Sequence, residues 1–372
     1  MARLDDRLTR ELREAGPLAD PTGVYEQLIR RRERRRIAER VRKATVILVA
    51  TTIAVAGTIL VVQAFERPDR ATVPVEPSVI EPHENGLIAF SREATGGLEL
   101  HVVEPDGSNE RTIPTPPGMP WLHAWSPDGD RIAVTIFPNA GGERSIWVMD
   151  ADGSDPVRVA QADNVSVPSW SPDGTRIAYA SEEGGRTEIH VVGADGSQDR
   201  VVHGEGAEGT FAIFSAQFSP DGTQLLFDRG TDSGFDIFVM RVDGSAVRRL
   251  TTTGTDYDPH WSPDGREIAF TRQGEGPRSD IYVMRADGSD VRQLTSGGDG
   301  DTNLYPQWSP DGRSIAYLAG RGGGPGGLVV MGADGSDPRV LVEADRSGGV
   351  LGISWQPLPA GTRSSGATGS VG

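Results

Sequence analysis

Short apolar runs recur along the chain, and polar turn residues separate them. One kind of run reads IAF, IAV, IAY or LLF, and its copies begin at residues 88, 132, 177, 225, 268 and 315. A second kind, such as DIYVM at 280–284, follows each copy after a loop rich in glycine. β-Branched and aromatic runs of this length, bounded by Gly, Pro, Asp and Ser, are typical of strands. The pattern predicts a chain built mainly from short β-strands.

Two turn motifs keep the same interval as the strands. The tetrapeptide SPDG follows an aromatic residue five times, at Trp125, Trp170, Phe218, Trp261 and Trp308, so the steps are 45, 48, 43 and 47 residues. The tripeptide DGS begins at residues 106, 152, 195, 243, 287 and 334. Both motifs favour tight turns between antiparallel strands. A fixed period of 40 to 50 residues indicates repeated supersecondary units.

Each repeat is predicted to hold four strands, which we call A, B, C and D. Strand A ends at the aromatic residue, SPDG turns into strand B, a glycine-rich loop leads to strand C, and DGS turns into strand D. Four short antiparallel strands per period of about 45 residues are typical of a β-propeller blade, and neither a TIM barrel nor a β-sandwich repeats in this way. The predicted fold is an all-β, six-bladed β-propeller over residues 85–358.

The first B strand, at 88–90, has no SPDG before it. A sixth aromatic marker, Trp355, lies 47 residues after Trp308 and is followed by Gln-Pro. We therefore expect strand 352–357 to pair with strand 86–91, so that the C-terminal strand completes the first blade and closes the ring. The six repeat aromatics are predicted to be structural: Trp125, Trp170, Phe218, Trp261, Trp308 and Trp355.

These units resemble the WD40-like (PD40) repeats of TolB-type β-propellers, which also occur in the N-terminal propeller of prolyl-oligopeptidase-like peptidases. The resemblance rests on the six phased copies of WSPDG, IAF and DGS and covers residues 85–358. It implies a bacterial envelope protein that binds other proteins. The chain departs from TolB itself because it has no separate N-terminal α/β domain and has a predicted membrane anchor instead.

The N-terminal part predicts that anchor. Residues 44–65 contain no charge over 22 positions, long enough for one transmembrane helix. Nine of the fourteen residues at 30–43 are basic, which favours a cytoplasmic N-terminus and an extracytoplasmic propeller in the cytoplasmic membrane. A cleaved signal peptide is the alternative, but the basic lead and the apolar core are both too long for one. Residues 66–84 are predicted to be a Pro-rich linker and 359–372 a disordered tail.

Charge restricts the class of partner. Residues 85–358 contain 21 Arg against 40 Asp and Glu, whereas residues 1–43 contain 13 Arg and Lys against 8 Asp and Glu. An acidic propeller is not expected to bind nucleic acid, whose phosphates need positive charge, and its partner is expected to be cationic. A single Lys among 37 basic residues indicates a GC-rich genome such as that of an actinobacterium. Because the chain has no Cys, it has neither a disulfide framework nor a thiolate site.

Catalysis is not expected. The sequence has no G-x-S-x-G, H-E-x-x-H or P-loop motif, and the acids of SPDG and DGS are turn residues. No cofactor and no resident metal are predicted. The basic cytoplasmic segment 1–43 has two interpretations: it only directs topology, or it docks a regulator such as a sigma factor, which would make the protein a sensor.

The candidate binding site follows from the loops. SPDG and DGS are nearly invariant among the repeats and lie at one face, whereas the B–C and D–A loops vary and lie at the other. Variable loops on a rigid scaffold commonly carry function. Acidic, amide and aromatic groups of this second face are expected to gather at one mouth of the channel and hold a cationic or N-terminal peptide segment, with Ca²⁺ or an inert acidic rim as alternatives. These residues are Asp163, Asn164, Glu205, Glu208, Asp256, Tyr257, Asp258, His260, Asp299, Asp301, Asn303 and Tyr305.

Overall fold

The computed structural model describes residues 83–358, apart from eight short internal gaps. The gaps are 95–96, 140, 185, 206–212, 277, 299–300, 322–325 and 345–348. The predicted cytoplasmic segment 1–43, transmembrane helix 44–65, tail 359–372 and all but the last two residues of the linker 66–84 lie outside the described residues. Within those described ranges, no helix is long and apolar enough to cross a membrane.

Antiparallel strands make up the described part of the chain, and no helix occurs in it. The strands form five hydrogen-bonded sheets. The first sheet contains β1 (Glu84–Ala94), β2 (Gly97–Val103), β3 (Arg111–Ile113) and β25 (Val350–Leu358). The second contains β4 (Met119–Trp125), β5 (Arg131–Phe137), β6 (Arg144–Asp150) and β7 (Val157–Ala162).

The third and fourth sheets repeat this order. The third contains β8 (Asn164–Val165), β9 (Ser169–Trp170), β10 (Arg176–Glu183), β11 (Arg186–Gly193) and β12 (Arg200–Glu205). The fourth contains β13 (Gln217–Phe218), β14 (Gln224–Thr231), β15 (Gly234–Arg241) and β16 (Arg248–Arg249). In the third sheet β8 and β9 both pair with β10, so they are two pieces of one interrupted strand A.

The fifth sheet has eight strands and consists of two runs of the same kind. The first run is β17 (Asp256–Trp261), β18 (Glu267–Gln273), β19 (Ser279–Arg285) and β20 (Arg292–Gln293). The second run is β21 (Thr302–Trp308), β22 (Ser314–Gly320), β23 (Gly327–Gly332) and β24 (Arg339–Val342). A single parallel pair, Ser279 with Thr302, joins the two runs. The described strands therefore form successive units of strands A to D, which we number 1 to 6 in the order of their B strands.

The predicted pairing of the C-terminal strand with the first B strand is confirmed. β25 runs antiparallel to β1, with Trp355 opposite Ile88. In an unbroken turn, the Ser126 hydroxyl accepts the backbone N–H of Arg131 at 2.9 Å. Unit 1 has no SPDG turn, and Gln356 Oε1 accepts the equivalent N–H, that of Leu87, at 3.0 Å. A side chain from the far end of the chain thus replaces the missing turn hydrogen bond.

The core lies between the units. Six apolar clusters formed by the described residues each join two neighbouring units, and one of them joins unit 6 to unit 1 through Leu318, Val330 and Phe90. The six repeat aromatics are at most 7% exposed, as expected for residues that pack in the core. Because adjacent units share their apolar faces, burial of these faces requires neighbouring units to stay together.

Candidate functional site

The units present two different faces, which we call the turn face and the loop face. The turn face consists of the SPDG turns between strands A and B and the DGS turns between strands C and D. The loop face consists of the B–C loops and the D–A loops. Successive strands of a unit are antiparallel, so each connection lies at the opposite end of the sheet from the connection before it. The A–B and C–D turns therefore share one face, and the B–C and D–A loops share the other.

Acids of the turn face bind their own turns. Asp173 accepts hydrogen bonds from the hydroxyls of Ser171 at 2.5 Å and Thr175 at 2.7 Å, and the bond from Ser171 is the main reason that the pKa of Asp173 falls to about 2. Asp152 accepts the Ser154 hydroxyl at 2.6 Å and the Ser154 backbone N–H at 2.9 Å, and these bonds lower its pKa. The monotonous acids of this face are therefore occupied in shaping turns.

Some predicted site residues lie at the loop face with part of their surface open. Asp163 is exposed and lies 3.5 Å from the backbone N–H of Gly184. Asp301 is partly exposed, and its carboxylate bonds Arg321 at 2.8 Å and the Gly298 N–H at 3.0 Å. Asn164 lies nearby and accepts a hydrogen bond from Arg144.

Two other predicted site residues are buried and serve the fold. The Asp256 carboxylate is fully buried and bonds the Arg272 guanidinium at 2.6 and 3.0 Å and the Thr253 hydroxyl at 2.7 Å. Asn303 is 4% exposed and donates to Asp280 at 3.3 Å. Both side chains are buried and paired within the fold, so in this structure they are not open to a partner.

The neighbouring ring side chains have structural contacts as well. His260 Nδ1 accepts the backbone N–H of Trp308 at 3.4 Å, and burial lowers the His260 pKa to about 4. Ser169 makes the same kind of link, because its hydroxyl accepts the Phe218 N–H at 3.1 Å. The residue before the repeat aromatic thus ties one unit to the next.

Two tyrosines belong to the predicted site: Tyr257 lies on β17 with His260, and Tyr305 lies on β21. The Tyr257 hydroxyl lies 3.1 Å from the Ser279 hydroxyl, and Tyr305 packs partly against the cluster shared by units 6 and 1. Glu208, Asp299 and the side chain of Glu205 lie outside the described residues.

A second acidic group lies deeper, between units 4 and 5, and two of its members were not predicted. Asp228 on β14 is 1% exposed and accepts the Ser215 hydroxyl at 2.6 Å. The backbone N–H of Asp258 on β17 lies on the side of the same carboxylate. Burial raises the pKa of Asp228, and burial together with the neighbouring Asp228 charge raises the pKa of Asp258 well above its ordinary range.

Aligning the six B strands gives the signal that identifies Asp228. Its position, directly after the IAF-like triplet, holds Ser91, Thr135, Ala180, Asp228, Thr271 and Leu318 in units 1 to 6. A single charged residue stands among hydroxyl and apolar residues. Periodicity alone did not identify this residue, because it lies inside a strand and not in a variable loop.

No metal centre is formed by the residues that the structure describes. Among them, no group of three or more His, Cys, Asp or Glu side chains is placed to hold an ion. The expected Ca²⁺ alternative therefore has no ligand set within the described ranges.

A family profile described as the TolB beta propeller domain, PD40, matches residues 117–216 and 205–349, more than half of the chain. An uncharacterized protein of Agrobacterium fabrum is 31% identical over 154 residues, which are 40% of this chain and 49% of that protein. The Tol-Pal system protein TolB of Bordetella pertussis is 37% identical over 150 residues, 39% of this chain and 33% of TolB. The aligned part thus spans half or less of these relatives.

Two solved structures share the fold. The crystal structure of TolB from Acinetobacter baumannii has a TM-score of 0.63 and 23% identity, covering 73% of this chain and 67% of that one. A putative TolB from Agrobacterium tumefaciens has a TM-score of 0.56 and 20% identity, covering 74% and 99%. At these identities the comparison establishes the propeller fold alone.

Proposed function

Because the chain belongs to the TolB β-propeller family, we propose that its six units are the blades of a non-catalytic propeller that binds a cationic protein or peptide through the loop face. The observation that supports this most directly is the contrast between the two faces. Turn-face acids such as Asp173 are exposed but bond the turns that recur in every unit, whereas Asp163 and Asp301, which also reach the surface, lie in loops that differ from unit to unit. Carboxylates held at the rim of a rigid fold attract a partner of opposite charge.

The proposal places the propeller outside the cytoplasmic membrane, tethered by residues 44–65. The support comes from the uncharged stretch of 22 residues and the nine basic residues in the fourteen before it. A partner protein of the cell envelope is consistent with this arrangement, since one relative is named a Tol-Pal system protein.

Peptide binding tests the proposal with a matched pair of double variants. The probes are two fluorescent peptides of equal length and apolar content, one with four Arg and one with four Glu. Wild-type full chain is expected to bind the Arg peptide at least about tenfold more tightly, and salt is expected to weaken this binding. Asp163→Asn with Asp301→Asn is expected to remove most of that preference.

The control removes two charges from the opposite face. Asp130 and Asp290 are exposed residues of the turn face, so Asp130→Asn with Asp290→Asn changes net charge equally. This variant is expected to bind within about twofold of wild type. Equal loss in both double variants would attribute binding to net charge and would reject a loop-face site.

A further inference from the structure

The buried acids between units 4 and 5 have an unused hydrogen-bonding position. Asp228 Oδ1 accepts the Ser215 hydroxyl at 2.6 Å, while Oδ2 is buried and has no hydrogen-bond partner among the described residues. A buried carboxylate oxygen left in this way is destabilising, because it has lost its hydration without gaining a donor. Among the described residues, this oxygen is thus a strong acceptor without a donor.

The repeat itself shows that the fold does not need an acid here. In unit 1 the Ser91 hydroxyl donates to the Trp121 carbonyl of the next unit at 3.3 Å, and in unit 2 Thr135 donates to the Ser166 carbonyl at 2.9 Å. A hydroxyl therefore links neighbouring units without charge, and Ala180 and Leu318 show that an apolar residue is tolerated at this position. The carboxylate of Asp228 is not explained by the link between units.

Asp258 is exceptional at its own position. It stands three residues before the repeat aromatic, where the other units have Leu122, Val167, Ser215, Tyr305 and Gly352. Its backbone is left-handed, with φ of 51°, and its N–H points to the Asp228 carboxylate. Asp258 is partly exposed on strand A, the innermost strand of its unit, whereas Asp228 is buried behind it. The two carboxylates are close enough for their charges to interact, and the part of this group that reaches the surface belongs to Asp258.

We propose that Asp228, Asp258 and Ser215 bind a primary ammonium group that the partner inserts between units 4 and 5. This rests on the proposed binding function and adds the chemistry of the inserted group. An ammonium has three donors and is compact, which matches the open Asp228 oxygen, the Asp258 carboxylate and the Ser215 hydroxyl oxygen. A guanidinium bonds a carboxylate through two oxygens, but one oxygen of Asp228 is already occupied by Ser215.

A positive charge at this place removes the main unfavourable feature of the pair. Two carboxylates in contact with low-polarity surroundings repel each other and lose hydration. An ammonium supplies both the opposite charge and the missing donor. A divalent metal is disfavoured because no described group of three ligating side chains surrounds the pair.

Thermal unfolding of the full chain with small cations tests the proposal. Ethylammonium chloride at about 100 mM is expected to raise the Tm by about 3 °C above equimolar NaCl, because it binds only the folded state. Tetramethylammonium, which has no N–H group, is expected to give no such rise. Asp258→Asn should abolish the response, since Asn keeps the left-handed backbone but loses the charge.

Two further variants keep the test decisive. Asp290→Asn removes an exposed turn-face acid, which also has a left-handed backbone with φ of 57°, and should respond like wild type. Asp228→Thr introduces into unit 4 the threonine that units 2 and 5 have at this position. This variant should fold, and ethylammonium should not raise its Tm. An equal response in wild type, Asp258→Asn and Asp228→Thr would overturn the site. Stabilisation by CaCl₂ without any by ethylammonium would overturn it in favour of a metal.

Two peptides identify the source of the ammonium group. One has a free amino terminus and no Lys, and the other is acetylated and has one Lys near its end. If one peptide binds and Asp258→Asn abolishes that binding, the group that this peptide carries is the source, either the α-ammonium or the lysine side chain. If neither peptide binds, the proposal that the partner carries the ammonium group is overturned. The double variant Asp163→Asn with Asp301→Asn should keep the rise in Tm with ethylammonium. Failure of the proposed loop-face binding function and failure of the proposed ammonium site can therefore be told apart.

Discussion

Gln356 joins the two ends of the propeller through its side chain. Its Oε1 accepts the Leu87 N–H at 3.0 Å, and its Nε2 donates to the Gly129 carbonyl at 2.8 Å. The first bond replaces the turn bond that a serine makes in an SPDG turn. The second connects unit 1 to the SPDG turn of unit 2.

Gln356→Ala should therefore destabilise the fold. The Leu87 N–H and the Gly129 carbonyl would both lose a partner in a partly buried place, which costs about 1–3 kcal/mol in the free energy of unfolding. Gln161 is exposed, and its side chain bonds Glu143. Gln161→Ala should change the free energy of unfolding by less than about 0.5 kcal/mol. Denaturant unfolding compares them, and equal effects would refute a special role for Gln356.

Two histidines with lowered pKa values make stability fall in mild acid. His123 is 2% exposed, its Nδ1 lies 2.6 Å from the Ser354 hydroxyl, and burial lowers its pKa to about 3. Burial also lowers the pKa of His260 to about 4. The unfolded state binds a proton at each ring below pH about 6.5 while the folded state stays neutral, so each lowers the free energy of unfolding by about 1.4 kcal/mol per pH unit below that value.

The free energy of unfolding is expected to fall as the pH is lowered from 6.5 to 4. In His123→Gln the slope of this fall should be smaller than in wild type. The turn-face acids with lowered pKa lose their contribution only below their ordinary pKa of 3.8, so they do not produce a slope in this window. Asp258 acts in the opposite sense, because its raised pKa reduces stability as the pH rises above 3.8. An identical pH slope in wild type and His123→Gln would show that His123 is not the responding group.

At the residue scale, sequence predicted packing better than function. The repeat aromatics were identified because they recur in phase, and recurrence reflects a shared structural need. Asp256 and Asp258 look alike in the sequence, yet Asp256 pairs with Arg272 whereas the charge of Asp258 interacts with that of Asp228. The alternation of a strand does not reveal this difference, since the bulge between Tyr257 and His260 shifts the register.

At the element scale, the closing strand carries the strongest prediction. β25 covers the inner edge of β1 and contributes Trp355, Ile353 and Val350 to the cluster shared by units 6 and 1. Deleting residues 350–372 should leave this edge unpaired and lower the Tm by more than 10 °C or prevent folding. Deleting only 359–372 spares β25 and should leave the Tm unchanged. Equal Tm values for the two truncated chains would contradict closure by β25.

The strands that sequence located least well are the outermost. In unit 5 the run VRQLT at 291–295 has the composition of a strand, but β20 covers only Arg292–Gln293. The next two backbone N–H groups, of Leu294 and Thr295, both approach the Ile281 carbonyl, at 2.9 and 3.4 Å, so the ladder ends there. Outer strands have a neighbour on one side only, which is why their apolar pattern is weak.

At the scale of the whole molecule, orientation across the membrane is a separate prediction. The basic residues at 30–43 favour a cytoplasmic N-terminus. An alkaline phosphatase fused to the C-terminus should then be active, and a green fluorescent protein fused there should be dark when exported unfolded. Activity of the fluorescent fusion alone would reverse the proposed orientation.

The central claim is that the loop face, and not the turn face, binds the partner. Hydrogen exchange of the full chain with and without the Arg peptide tests it most directly, because both faces are measured in one experiment. Slower exchange is expected in the D–A segments around 163–166 and 301–304, with the SPDG turns at 126–129 and 262–265 unchanged. Protection confined to those turns would contradict the account.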